Sequence, residues 1–104
     1  MKRFDVCPAS GLGIAGRRRL VVVLQHEHLD VLGTLVVAPL FLRRELEAIV
    51  RLRPLVVVTG RSYLVAVDRL ASLPTRQLGT PAASLESSRY ELIKALDFLF
   101  AGFG

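Results

Sequence analysis

The first segment of this sequence that could do chemistry is Gly11-Leu12-Gly13-Ile14-Ala15-Gly16. Its glycine spacing is that of a dinucleotide-binding turn, and it follows a short predicted strand. Such a turn needs a helix to begin there, so that the helix N-terminus meets the pyrophosphate. Residues 17–25 are instead rich in β-branched side chains and predict a strand. The glycines therefore favour a mobile hairpin loop over a nucleotide site.

Two further groups carry reactive side chains. His26 and His28, with Asp30 nearby, could bind a metal because alternate residues of a strand lie on one side. No second His or Cys cluster supports this, and the polar end of a strand is the simpler interpretation. Cys7 is the sole cysteine and is typical of a small buried residue. The residues therefore give little basis for nucleophilic catalysis, and we expect no metal site and no cofactor.

The length and composition predict one apolar domain over residues 1–104. The chain is 52% hydrophobic with a mean hydropathy of +0.47. Its apolar runs are too short to span a membrane and suit buried strands, and the apolar surplus favours self-association. One cysteine excludes an intrachain disulfide, and the N-terminus lacks the apolar core of a signal peptide. The sequence thus predicts a cytoplasmic protein without membrane contact.

The net charge of +5 comes almost entirely from arginine. A basic balance favours an acidic partner, either nucleic acid or an acidic peptide, and arginine suits both. Only residues 17–19 and 43–44 are clustered, so the alternative that scattered arginines keep an apolar dimer soluble stays open.

The order of apolar and turn-forming residues predicts a mainly β chain that ends in a helix. Pro8 and Pro39 are expected to end their strands, or in the case of Pro39 to mark a sheet edge. Residues 41–52 keep helical spacing and are ambiguous, and residues 70–73 predict a connection. Ser88 and Glu91 have the spacing of a capping box for the last helix. The predicted strands cover residues 4–7, 18–25 and 35–40, a hairpin formed by 55–59 and 62–67 around Gly60-Arg61, and a short strand at 76–78.

Several ordered blocks of the chain resemble the CcdB family of toxins from toxin–antitoxin systems. They occur in the family's order and at nearly its spacing, and they spare residues 8–17 and 41–52. The blocks are Arg3-Phe4-Asp5-Val6, residues 19–25 with Leu29-Asp30, Val36-Val37-Ala38-Pro39-Leu40, Leu70-Ala71-Ser72-Leu73-Pro74, Leu78-Gly79, Ser84-Leu85 with Arg89, and residues 95–100 with Gly102-Phe103.

The resemblance implies a fold and a function. The fold is a mainly β, SH3-like barrel of the CcdB/MazF toxin type, with an antiparallel sheet, a small second sheet and one C-terminal α-helix. The implied protein is not an enzyme but a homodimer that inserts its paired C-termini into the A subunit of DNA gyrase and traps gyrase on cleaved DNA. A cognate CcdA-like antitoxin neutralises it with a disordered C-terminal segment. The complex represses its own operon, so that the toxin meets operator DNA only through the antitoxin.

The resemblance also assigns gyrase-binding residues. The family's Trp-Gly-Ile ending corresponds to Ala101, Gly102 and Phe103, and Phe100 matches a family phenylalanine. Ala101 lacks the aromatic ring of the tryptophan, and Phe103 could supply one from a neighbouring position. Three further gyrase-contacting family positions, two isoleucines after the second strand and an asparagine on the last helix, correspond to His28, Leu29 and Asp97.

Two other functions stay open at this stage. Toxins of the MazF type share the broad fold and cleave RNA, and the arginines together with His26 and His28 are compatible with that activity. A relative that does not poison gyrase could act only with its antitoxin, in repression of the operon.

Overall fold

Residues 1–11, 18–26 and 33–102 are described in the computed structural model, and in them one antiparallel sheet of seven strands precedes one α-helix. The strand order is β4-β5-β3-β2-β1-β7, and β6 pairs with the first half of β3. This nearly closed, barrel-like sheet with a C-terminal helix confirms the predicted fold class. The bounds are β1 (Asp5–Ala9), β2 (Arg19–Val23), β3 (Thr34–Leu42), β4 (Leu55–Val58), β5 (Arg61–Val65), β6 (Ala71–Pro74), β7 (Ala83–Ser84) and α1 (Arg89–Ala101).

The strand β2 is buried on both faces, which explains its unbroken run of valines. Because side chains alternate across a strand, Val22 lies on one face and Val21 and Val23 on the other. Val22 belongs to the larger core, which includes Leu92 of α1. Val21 and Val23 belong to a second cluster with Cys7 and Leu35. The helix therefore covers one face of the barrel, and β2 contributes to both clusters.

Pro39 lies inside β3 rather than at its end, so that prediction is wrong. The strand continues to Leu42 because Pro39 sits where β3 changes partner, between its pairing with β6 and its pairing with β5. The carbonyl of Pro39 accepts a hydrogen bond from the Ala66 N–H at 2.9 Å. Proline has no backbone N–H, but at this junction Pro39 would not donate to either neighbouring strand, so no hydrogen bond between strands is lost.

Pro8 is likewise internal to β1, opposite Leu20 of β2, and does not stop the strand. Its carbonyl accepts a hydrogen bond from the Gly79 N–H at 2.8 Å, on the side away from β2. The N and carbonyl of one residue point to the same side of an antiparallel strand. The proline nitrogen therefore faces away from β2, and the ladder between β1 and β2 loses no donor.

Two short segments differ from their predicted structure. Residues 43–53 form turns and irregular chain rather than a helix, although residues 41–52 keep helical spacing. Residues 71–74 are the strand β6 instead of a connection, and residues 75–77 form a 3₁₀ turn instead of a strand. For residues 71–74 distant pairing decides the conformation, since β6 exists through its register with β3. The predicted glycine-rich loop lies mostly outside the described residues.

The helix α1 begins after Ser88, as expected, but without the predicted capping box. Ser88 makes no side-chain capping hydrogen bond. A 3₁₀ turn at Glu86–Ser88 leads directly into the helix, and the Arg89 N–H donates to the Glu86 carbonyl. Within the described residues, no helix is both long and apolar enough to cross a membrane.

The predicted hairpin is confirmed as β4 and β5, but its turn is Thr59-Gly60 rather than the predicted Gly60-Arg61, because Arg61 already pairs with Val58. Their φ values are +49° and +82°, which is the pattern of a two-residue type I′ turn. Glycine adopts such a conformation freely, whereas the β-branched Thr59 is strained there.

Replacing Thr59 with asparagine is expected to stabilise the fold by about 0.5–1 kcal/mol, because asparagine tolerates the left-handed conformation. Thermal unfolding measures the difference. Thr80→Asn, at an exposed position without positive φ, is the matched control and is expected to leave the melting temperature unchanged. An equal effect of both variants would contradict a strained turn.

Candidate functional site

The last turns of α1 form the first candidate site. Leu92 and Ala95 anchor the helix in the larger core, so that its remaining faces point to solvent or to flanking loops. Phe100 is 75% exposed, a large apolar side chain left in water at the end of an anchored helix. Such an exposed aromatic ring is available to contact a partner, and aromatic side chains are enriched among the residues that carry interface energy.

Gly102 ends α1 in a left-handed conformation, with φ +78°, and its N–H donates to the Phe98 carbonyl at 2.9 Å. This is the usual cap of a helix C-terminus. The helix therefore ends directly at Ala101, which is exposed.

The structure brings four of the predicted site residues together at this helix end. Asp97, Phe100, Ala101 and Gly102 all have exposed positions there. His28, Leu29 and Phe103 lie outside the described residues. Asp97 and Phe100 are three residues apart and hence neighbours on one flank of the helix.

An adjoining flank of α1 borders a cleft of about 350 Å³ against residues 50–55. Phe98 lines this cleft, and the Arg51 guanidinium lies 5.9 Å from the centre of its ring. Lys94, one turn earlier, also lines the cleft and lies 5.2 Å from the ring centre of Tyr90. Such cation–π contacts keep basic groups beside aromatic surface.

A second candidate site lies at the end of β3, and sequence reasoning missed it. The Phe41 ring is flanked by two guanidinium groups, those of Arg19 at 4.1 Å and Arg69 at 5.3 Å from the ring centre. Arg19 also donates to the Leu40 carbonyl at 2.9 Å and pairs with Glu45 at 3.6 Å. Two cations beside an aromatic ring can bind an anion and stack a planar group.

Glu45 is held ionised next to this cluster. The Leu42 N–H donates to the Glu45 carboxylate at 2.7 Å. This hydrogen bond lowers the pKa of Glu45 from its ordinary value of 4.5, with Arg19 adding to the effect. Glu45 therefore accepts hydrogen bonds at neutral pH and is a poor general acid.

The remaining reactive groups among the described residues do not assemble into a site. Cys7 is fully buried, its thiol lies 3.0 Å from the Met1 sulfur, and burial raises the pKa of Cys7 above its ordinary value of 9.0. The thiol therefore stays protonated at neutral pH. His26 is exposed, and His28 and Asp30 lie outside the described residues. Within the described ranges, no three His, Cys, Asp or Glu residues lie close enough to hold a metal ion.

A bidentate ion pair fixes the loop that precedes β4. The Arg53 guanidinium donates to both carboxylate oxygens of Asp68, at 3.0 and 2.8 Å, and to the Glu47 carbonyl at 2.7 Å. The hydrogen bonds from Arg53 lower the pKa of Asp68 from its ordinary value of 3.8. This pair ties residues 47–53 to the 3₁₀ turn after β5 and so positions one wall of the cleft.

We expect the free energy of unfolding to fall when the pH drops below 3.8, because Asp68 binds a proton more readily in the unfolded chain than in the folded one. The stabilisation is complete above that pH and is lost as the pH falls through the lower pKa of the folded state. Urea unfolding between pH 2 and 6 measures the slope. An Asp68→Asn variant is expected to have a shallower acid slope, and an unchanged slope would contradict this role.

Comparisons with known proteins define the family and the fold. The family model described as CcdB protein matches residues 3–102. No curated protein sequence matches the chain significantly. Among solved structures, an endoribonuclease in complex with its cognate antitoxin from a mycobacterial species has a TM-score of 0.78 at 12% identity, covering 97% of this chain and 95% of that one.

Two further structures carry the same fold. The Mycobacterium tuberculosis toxin MazF-mt6 has a TM-score of 0.75 at 20% identity, covering 93% of this chain and 96% of that one. MazF from Deinococcus radiodurans has a TM-score of 0.76 at 19% identity, covering 97% and 96%. The expectation that the protein is not an enzyme is therefore wrong, because endoribonuclease toxins have the same fold.

Proposed function

The chain belongs to the CcdB family of toxins from toxin–antitoxin systems, and from this premise we propose that it binds the A subunit of DNA gyrase through the end of α1 and traps the enzyme on cleaved DNA. The observation that carries the proposal is the exposed Phe100 at an anchored helix end that Gly102 terminates. Asp97 borders the same surface. His28, Leu29 and Phe103 complete the proposed contact.

The physical basis is the aromatic group presented to the partner. A fully desolvated aromatic side chain is the usual carrier of interface energy. In this chain Ala101 stands where the family has tryptophan, so Phe100 and Phe103 must supply the aromatic surface. Phe100 needs no rearrangement to do so, because it already projects from a rigid helix.

The proposed assembly is a cytoplasmic homodimer whose two C-termini act together. A cognate CcdA-like antitoxin neutralises it, and the neighbouring structures named as a toxin with its cognate antitoxin support such a partner. The complex represses its operon, with the antitoxin making the DNA contact. Light scattering at micromolar concentration tests the dimer, and a monomer there would contradict a mechanism that needs two C-termini.

The function is tested by incubating the purified protein with gyrase, ATP and supercoiled plasmid, followed by detergent denaturation. Linear DNA is expected, with a quinolone as positive control. Its loss on deletion of residues 102–104 would support poisoning through the C-terminus. Gyrase binding without linear DNA would reject poisoning and favour the relative that acts only with its antitoxin in operon repression.

RNA cleavage is a second candidate, favoured by the two guanidinium groups beside Phe41 and by the endoribonuclease fold. Phe41 could stack a base, while Arg19 and Arg69 stabilise charge on a phosphate. RNAs of varied sequence are the substrate for this test. Cleavage that is lost in Arg69→Gln but kept in Arg76→Gln, an exposed arginine on the turn after β6, would support it. Intact RNA throughout would reject it.

A further inference from the structure

The strand β4 has an open edge. It pairs with β5 on one side, and no other described strand pairs with it. The carbonyl of Pro54 accepts a hydrogen bond from the Val65 N–H at 2.9 Å, so the backbone groups of residue 54 point toward β5. In an antiparallel pair every second residue directs its N–H and carbonyl away from the partner. The backbone groups of Leu55 and Val57 therefore point outward from the sheet.

The side chains along this edge are apolar and exposed. Leu55 is 52% exposed and Val57 is 63% exposed. The strand is short, with four residues, but it has no charge, no proline and no bulge between residues 55 and 58. Free backbone groups beside exposed apolar side chains are what strand addition by a partner requires.

The cleft beside α1 continues this edge. It is lined by Leu55 and by Phe98, whose ring lies under the Arg51 guanidinium. Lys94 adds a second positive charge on the helix, against the single carboxylate of Glu91 among the lining residues. The surroundings of an incoming chain are therefore apolar at the base and basic at the rim.

We infer that the β4 edge and this cleft bind an extended acidic segment of a partner protein, which adds to β4 as a further strand and places one apolar side chain against Phe98. Acidic residues of that segment pair with Arg51 and Lys94. Phe98 lies on a different side of α1 from Phe100, because residues two apart in a helix are about 200° apart around its axis. The centre of this surface therefore differs from Phe100 of the proposed gyrase contact, although Lys94 is only three residues from Asp97. The identification of the antitoxin as the source of this segment rests on the proposed function. The extended, acidic character of the segment does not, because it follows from the surface itself.

A second copy of this chain fits the surface less well. The chain carries a net charge of +5, and pairing two β4 edges would join two surfaces that each carry Arg51 and Lys94. Like charges brought together at an interface oppose association. An acidic segment instead neutralises them.

The test uses a fluorophore-labelled synthetic peptide of five Glu-Val repeats and the full chain, with binding followed by fluorescence anisotropy. Binding is expected to weaken as salt rises. A peptide methylated on its valine amide nitrogens is expected to bind at least about tenfold more weakly, because it cannot complete the ladder. Equal binding of both peptides to the unaltered protein would overturn strand addition.

Two pairs of variants localise the surface. Val57→Pro removes the outward N–H and is expected to weaken binding by about tenfold, whereas Val57→Thr keeps the backbone donor and is expected to bind normally. Arg51→Glu is expected to weaken binding, and Arg76→Glu, on the turn after β6, is not. If all four variants still bound the peptide, this surface would be rejected. It would also be rejected if the unaltered protein bound no peptide and Val57→Pro abolished its self-association.

The outcome is separable from that of the gyrase experiment. Val57→Pro leaves the end of α1 untouched, so gyrase cleavage without peptide is expected to match that of the parent protein. Loss of peptide binding with retained gyrase cleavage would support a separate surface, and joint loss of both in a folded variant would contradict it.

Discussion

Replacing Phe100 with alanine is expected to weaken binding to the gyrase A subunit by about 30-fold or more, because truncating an aromatic anchor in an interface typically costs about 2 kcal/mol or more. The linear DNA trapped by the protein should fall in parallel. Phe100 is exposed in the free protein, so the variant is expected to keep its melting temperature. Isothermal titration against the purified A subunit measures the affinity.

Tyr90→Ala is the matched control for this experiment. Tyr90 is 66% exposed on the same helix, near its N-terminal end and away from the proposed contact. The Tyr90→Ala variant removes a ring of comparable size and leaves the end of the helix unchanged. Equal loss of gyrase binding in both variants would contradict a contact centred on Phe100, and unchanged binding in Phe100→Ala would show that another residue carries the interface energy.

Replacing Leu92 with alanine is expected to lower the free energy of unfolding by about 2–5 kcal/mol, as for other large apolar side chains truncated in a packed core. Leu92 is 0% exposed and joins α1 to the larger core. The variant leaves a cavity between the helix and the sheet. Urea unfolding at one fixed protein concentration is the measurement, with a lower midpoint and a similar m-value expected.

Glu91→Ala, next to Leu92 but exposed, is expected to change the same free energy by less than about 0.5 kcal/mol. If Leu92→Ala cost no more than this control, α1 would not be an integral part of the core. The position of Phe100 relative to the sheet would then be set by something other than helix packing.

The parts of the fold that could be predicted are those that depend only on residues close together in the sequence. The hairpin of β4 and β5 follows from two apolar runs around a glycine-containing turn, and α1 follows from its helical spacing. The interior positions of Pro8 and Pro39 could not be predicted, because they depend on which side of each strand has a partner. The same holds for β6, which is a strand only through its register with β3.

The candidate sites divide in the same way. The helix end with Asp97 and Phe100 could be located in advance, since consecutive residues of one helix stay together and the family resemblance pointed to them. The cluster of Arg19, Phe41 and Arg69 could not, because three separate parts of the chain meet there. The open edge of β4 could not be predicted for a similar reason, since only the strand order reveals that no other described strand pairs with it.

The buried thiol of Cys7 makes the protein convenient to label. Because Cys7 is inaccessible and stays protonated at neutral pH, thiol-directed dyes and spin labels are expected to leave the folded native chain unmodified. A single cysteine introduced at an exposed position such as Ser62 would then be the only reactive thiol on the folded protein. Spectroscopic distances within an assembly could be measured from that site without first removing the native cysteine.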